Sequence, residues 1–84
     1  MLRIVYFASV REAVGCDGEE RDLPADVNTV ADCLDWLEAQ GAQYGAAFAN
    51  RSKLRFALDQ KMVNSDAPIT DTSELAIFPP VTGG

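Results

Sequence analysis

The residues best suited to chemistry in this 84-residue chain stand at its carboxyl end, where "FPPVTGG" (Phe78 to Gly84) follows an apolar run. Glycine loses more freedom on ordering than any other residue, so Gly83 and Gly84 at an end serve no packing purpose. Pro79 and Pro80 cannot donate backbone hydrogen bonds and bias the chain toward a stiff, extended course. Val81 and Thr82 are β-branched and at ease in extended backbone. From Pro80 outward such an end reaches roughly 13–17 Å, at ~3.3–3.6 Å per residue. It is slender enough to enter a narrow channel and present its last carbonyl to a catalytic centre elsewhere. The expected reacting group is therefore the carboxyl of Gly84, with Gly83, Thr82 and Val81 as the access rod. The alternative is a loose terminus that merely happens to finish in glycine. A stiff exit straight from an expected last strand favours the functional reading.

Other chemistry is scarce. The chain has no histidine and two cysteines, Cys16 and Cys33, without Cys-x-x-Cys spacing. A Cys/His zinc site within one chain is thereby excluded, and no metal or bound cofactor is expected. Cys33 falls on an apolar helical stripe and reads as a small packed hydrophobe. Cys16, in "GCDGEE", is expected to be exposed; it could carry a persulfide, but nothing beside it would activate a thiolate. The net charge of −6 argues against a nucleic-acid partner, since phosphate binding needs a basic stripe. The basic residues are scattered apart from Arg51, Lys53 and Arg55, which read as a solvated strand edge. No segment approaches the ~20 apolar residues of a membrane span, and the start does not pattern as a signal peptide. A soluble cytoplasmic protein is expected.

One small domain must position the tail. Leu2 to Ala8 alternates with period two and reads as a strand. "SVREAVG" follows, with Ser9 and Glu12 at capping-box spacing and Gly15 ending a single helical turn. Glu19 to Leu23 is short, polar and followed by Pro24, as at a sheet edge. Thr29 is the expected N-cap of one long helix, with Asp32 completing a capping box and Gly41 as the stop. Val30, Cys33, Leu34 and Leu37 share its apolar stripe, and Trp36 sits at the margin. "QYGAAFAN" is expected to add a turn. Leu54 to Leu58 and Lys61 to Asn64 read as strands joined by an atypical "DQ" turn, since favoured hairpin dipeptides carry glycine. Ile69 plugs the core, and Glu74 to Phe78 is the last strand.

This order predicts an α+β, ubiquitin-like β-grasp: a mixed sheet of about five strands with the long helix across one face. Residues 1–80 would form the domain and 81–84 a flexible tail. The face toward the helix takes Leu2, Ile4, Tyr6, Leu54, Phe56, Leu58, Val63, Leu75 and Ile77. Val5, Phe7, Ala57, Met62, Ala76 and Phe78 then face away. Two phenylalanines and a methionine on a solvated sheet face predict a protein-binding patch, anchored by Phe7, Met62 and Phe78.

Three stretches carry a resemblance over nearly the whole chain: "VYFASVREAVG" at Val5–Gly15, "TVADCLDWL" at Thr29–Leu37, and "AIFPPVTGG" at Ala76–Gly84. Together they resemble the small, sulfur-carrying subunits of molybdopterin synthase. Cys16–Glu20 and Gln43–Lys53 depart from any reliable pattern. The resemblance implies that a ubiquitin-activating-like adenylyltransferase uses ATP to form a transient glycyl-adenylate at Gly84. A sulfur donor protein then converts it to a thiocarboxylate. That end enters the large catalytic subunit, in a two-plus-two assembly, and gives sulfur to a cyclic pyranopterin. It also implies a partner contact for Arg11, within "RE", although a plain surface charge fits as well. Other readings are a tag joined to lysines through Gly84, a carrier for another pathway such as thiamine, and a binding module with an inert tail.

Overall fold

Leu2, Ile4 and Tyr6 are buried while Arg3 and Val5 are not, as expected of a strand with one face on a core; this is β1 (Leu2–Tyr6). The computed structural model describes residues 1–69 and 72–80. After β1 come α1 (Ala8–Val14), β2 (Gly18–Arg21), α2 (Val30–Glu38), α3 (Ala42–Ala47), a 3₁₀ turn (Arg51–Lys53), β3 (Arg55–Leu58), β4 (Lys61–Val63) and β5 (Glu74–Phe78). The five strands form one sheet in the order β2-β1-β5-β3-β4. β1 and β5 run parallel at its centre, and the other pairings are antiparallel. This is a β-grasp.

Register explains the core. Tyr6 lies opposite Ile77, Ile77 opposite Phe56 and Phe56 opposite Val63, which makes one inward row across four strands. Val30, Cys33, Leu34 and Leu37 of α2 close over that face, each with no exposed surface. A fully buried leucine such as Leu34 contributes about 1.5–3 kcal/mol. Ile69 is buried as expected, whereas Val63, near the β4 edge, is only half-buried.

Five expectations need correction. The long helix is nine residues, and the sheet is covered by α2 together with α1 and α3. Gly41 does not stop α2, which ends through Ala39 in ordinary right-handed backbone; Gly41 instead stands at the N-cap of α3. The strand expected to reach Ala8 ends at Tyr6 because Ala8 takes a left-handed backbone with φ 50°. That turn starts α1, which is longer than one turn. Ser9 lies inside α1 rather than capping it, since the Phe7 carbonyl accepts the amides of Val10 and Arg11. Gly15 ends α1 as anticipated, with φ 95°.

The cap on α2 stands: Thr29 accepts the Asp32 amide, and the Asp32 carboxylate accepts the Thr29 amide. The "DQ" turn between β3 and β4 holds Asp59 at φ 48° and Gln60 at φ 73°, the paired left-handed geometry that glycine usually supplies. The Asp59 carboxylate secures it by accepting the amides of Ser73 and Glu74 at the start of β5.

Candidate functional site

Because β5 runs parallel to β1, Phe78 leaves the sheet at the same end as Phe7. The Phe7 amide donates to the Ile77 carbonyl at 3.2 Å, extending the pairing one step beyond β1. Pro79 and Pro80 follow Phe78 and mark the root of the tail. Val81, Thr82, Gly83 and Gly84, to which the sequence assigns the reactive end and its access rod, lie outside the described residues.

The outward face of the sheet is contiguous. Gly18, Val5, Ala76, Ala57 and Met62 form one row across all five strands. Phe78 lies one step further along β5, opposite Arg55. Phe7 is 40% exposed and Met62 63%, both large for apolar side chains. Ala57 and Ala76 occupy this face yet are buried, at 5% and 6%, because their short methyls barely rise above a sheet flanked by larger neighbours. The Phe7 and Phe78 rings stack at 4.6 Å. The structure thus brings Phe7 and Phe78 together, with Met62 two strands away along the same face. Arg11 is exposed on α1, and its side chain has no hydrogen-bond or ion-pair partner among the described residues.

Arg51 does not belong to a solvated strand edge. Its guanidinium bonds Asp35 at 2.8 Å and also Glu38, tying the 3₁₀ turn to α2. Burial works against its charge, but those carboxylates raise its pKa overall. Lys53 and Arg55 are exposed.

A polar cluster went unread in the sequence. Glu19 Oε2 accepts from the Tyr6 hydroxyl at 2.7 Å and from the Tyr44 hydroxyl at 2.6 Å. Glu19 Oε1 accepts from Arg21 Nε at 2.7 Å, and Arg21 also donates to the Tyr44 oxygen at 3.0 Å. The Arg21 guanidinium stands 5.7 Å over the Trp36 ring. Burial alone would raise the Glu19 pKa, but hydrogen bonds from Tyr44, Tyr6 and Arg21 hold it below the ordinary value. Burial, reinforced by the bond to Glu19, pushes Tyr6 far above the usual phenol range. The available signal was phase: Glu19 and Arg21 pair with the buried Ile4 and Leu2, so they are themselves the inward residues of an edge strand. Inward charges blunt an open edge and need polar partners.

Cys33 is buried, and desolvation pushes its thiol up to about 12; Cys16 is exposed. Among the described residues no group of three or more His, Cys, Asp or Glu is placed to hold a metal ion. No helix among them is long and apolar enough to cross a membrane.

Known proteins resemble this chain in sequence and fold. The molybdopterin synthase sulfur carrier subunit of Escherichia coli strain K12 is 42% identical over 84 residues, with 100% of each chain covered. The subunit of that name from Haemophilus influenzae is 32% identical over 84 residues, again with 100% of each covered. The crystal structure of SAMP1 from Haloferax volcanii matches with a TM-score of 0.73 at 25% identity, over 99% of this chain and 98% of that one. The ThiS family matches residues 4–84. With the β-grasp, the parallel central strands and the sequence agreement in accord, the chain belongs to the ThiS family.

Proposed function

We propose that this chain is the sulfur carrier subunit of a molybdopterin synthase and that the carboxyl carbon of Gly84 bears the sulfur. The observation that carries this reading is the agreement with the relatives of that name from Escherichia coli and Haemophilus influenzae. They match over 84 residues with 100% of each chain covered and so take in "FPPVTGG" along with the sheet.

The chemistry follows from what a carboxylate lacks. It is a poor electrophile, so an adenylyltransferase first joins Gly84 to AMP, and the pyrophosphate of ATP departs. Sulfur delivered at the sulfide level by a donor protein then displaces AMP and leaves a thiocarboxylate. In the large subunit that sulfur attacks a carbon of a cyclic pyranopterin. Water then cleaves the resulting thioester, so that Gly84 regains its carboxylate and the sulfur stays on the pterin. A second loaded carrier supplies the other dithiolene sulfur in the same way. The chain brings position rather than acid or base. Tethering gives the sulfur a high effective concentration at the reacting carbon. Neither Gly83 nor Gly84 has a side chain to obstruct entry.

The outer sheet face suits docking to the large subunit. Phe7, Phe78 and Met62 supply apolar anchors, with Arg11 as a rim charge. The first two lie beside the tail root, so one surface engages the partner while the tail reaches its active centre. Cytoplasmic residence fits ATP-dependent loading.

Deleting Gly83 and Gly84 tests the reading. The truncated chain should keep its circular dichroism and its affinity for the large subunit, yet support no dithiolene formation. Full activity of the truncated chain would refute the proposal.

A further inference from the structure

Ala8 takes a left-handed backbone, φ 50°, which glycine adopts freely and a residue bearing a Cβ adopts only at a cost. The residues on either side of it flank the tail root. Immediately before it, Phe7 is held through its amide to Ile77 and through its carbonyl to Val10 and Arg11, at 3.1 and 3.3 Å. Its ring stacks on Phe78, the last residue before Pro79. Immediately after it, Ser9 and Val10, with Ala13, line a groove of about 210 Å³ whose other side includes Pro79 and Pro80. Rotation about the Ala8 backbone would therefore move one flank of the root against the other. A glycine could turn this corner without strain but has several other conformations open to it. Strain held at a site that sets direction is a common mark of function.

We propose that Ala8 is a positioning residue for sulfur delivery, a strained corner that fixes the direction in which the tail leaves the sheet. Alanine stands there in place of glycine because it narrows that direction. The proposal rests on the sulfur-carrier reading above.

The test compares Ala8→Gly and Ala8→Asn with the unaltered full chain, each loaded as the thiocarboxylate and titrated as substrate of the large subunit. In Ala8→Gly, relief of strain outweighs the added freedom of the unfolded chain, so the melting temperature should rise slightly and a loss of productive binding cannot be put down to unfolding. Its KM should rise about two- to fivefold with kcat nearly unchanged, because only the fraction of molecules with a correctly aimed root binds productively. Asparagine tolerates left-handed backbone better than other residues with a Cβ, so Ala8→Asn should return KM close to the original. An unchanged KM in Ala8→Gly would overturn the proposal, as would an Ala8→Asn variant as impaired as Ala8→Gly. Nuclear Overhauser contacts between the Phe7 and Phe78 rings give a readout free of sulfur chemistry. They should weaken in Ala8→Gly and persist in Ala8→Asn, and equal strength in all three chains would overturn the proposal. If the unaltered chain fails as substrate, the sulfur-carrier reading falls, and the ring contacts alone decide whether Ala8 fixes the corner.

Discussion

The ring of Phe78, at the end of β5, stacks on the ring of Phe7, just past the end of β1, with centroids 4.6 Å apart and planes 10° from parallel. The contact ties both ends of the domain together at the point where the tail begins. It exists because the first and last strands are parallel neighbours, an arrangement that brings two distant segments to one corner. On the proposed reading, a stack in this position joins the docking surface to the root of the reactive end.

Replacing either ring should weaken docking. Phe7→Ser and Phe78→Ser are each expected to reduce affinity for the large subunit by tenfold or more, about 2 kcal/mol for an interface anchor. Because the rings touch, the double variant should lose less than the sum, with a coupling of ~0.5–1.5 kcal/mol. Isothermal titration calorimetry on variants with native circular dichroism checks both numbers. Unchanged affinity in both single variants would show that this face is not the interface.

Glu19 should make stability depend on pH. Its hydrogen bonds from Tyr44, Tyr6 and Arg21 place its folded pKa below its unfolded one, so the unfolded chain binds more protons. Its contribution is complete above the unfolded value and is lost as pH falls through the folded value. Glu19→Gln should cost about 1–2 kcal/mol at neutral pH by weakening charge-assisted bonds. Denaturant melts across the carboxylate range should then show a shallower slope for the variant than for the unaltered chain. Parallel slopes would mean that the cluster is not held by the Glu19 charge.

Gln60 offers the opposite case, strain with no evident use. With φ 73° in a hairpin turn it occupies backbone better suited to glycine. Gln60→Gly should raise stability by ~0.5–1 kcal/mol, or about 2–8 °C in melting temperature for a domain of this size. Thermal melts measure this directly, and a lower melting temperature would contradict the reading of that turn. Asp59 is left in place because its carboxylate holds the start of β5.

What the sequence made legible was whatever rests on local period. Leu2, Ile4 and Tyr6, or Val30, Cys33, Leu34 and Leu37, reveal their faces through spacing alone, and each proves buried. The Thr29 cap was readable for the same reason, since its partner Asp32 lies three residues away. The outward row was readable because a sheet preserves alternation from strand to strand. Contacts that join distant segments were not. Tyr44 reaches Glu19 across 25 positions and Arg51 reaches Asp35 across 16, and neither separation leaves a local pattern. The corner at Ala8 is hidden for another reason: alanine carries none of the turn signals of glycine, asparagine or aspartate, so the strand pattern reads on through it. Of the candidate site, the aromatic pair is now placed, whereas Val81 to Gly84 lie outside the described residues.

Intact-mass spectrometry tests the central claim most directly: the chain, a ubiquitin-activating-like adenylyltransferase, ATP and a sulfur source are incubated together, and the chain is then weighed and fragmented. The account predicts a gain equal to the exchange of one oxygen for one sulfur, confined to a terminal fragment containing Gly84 and absent without ATP. A mass that stays unchanged under conditions that load the Escherichia coli relative, or a sulfur found on Cys16 instead, would contradict it.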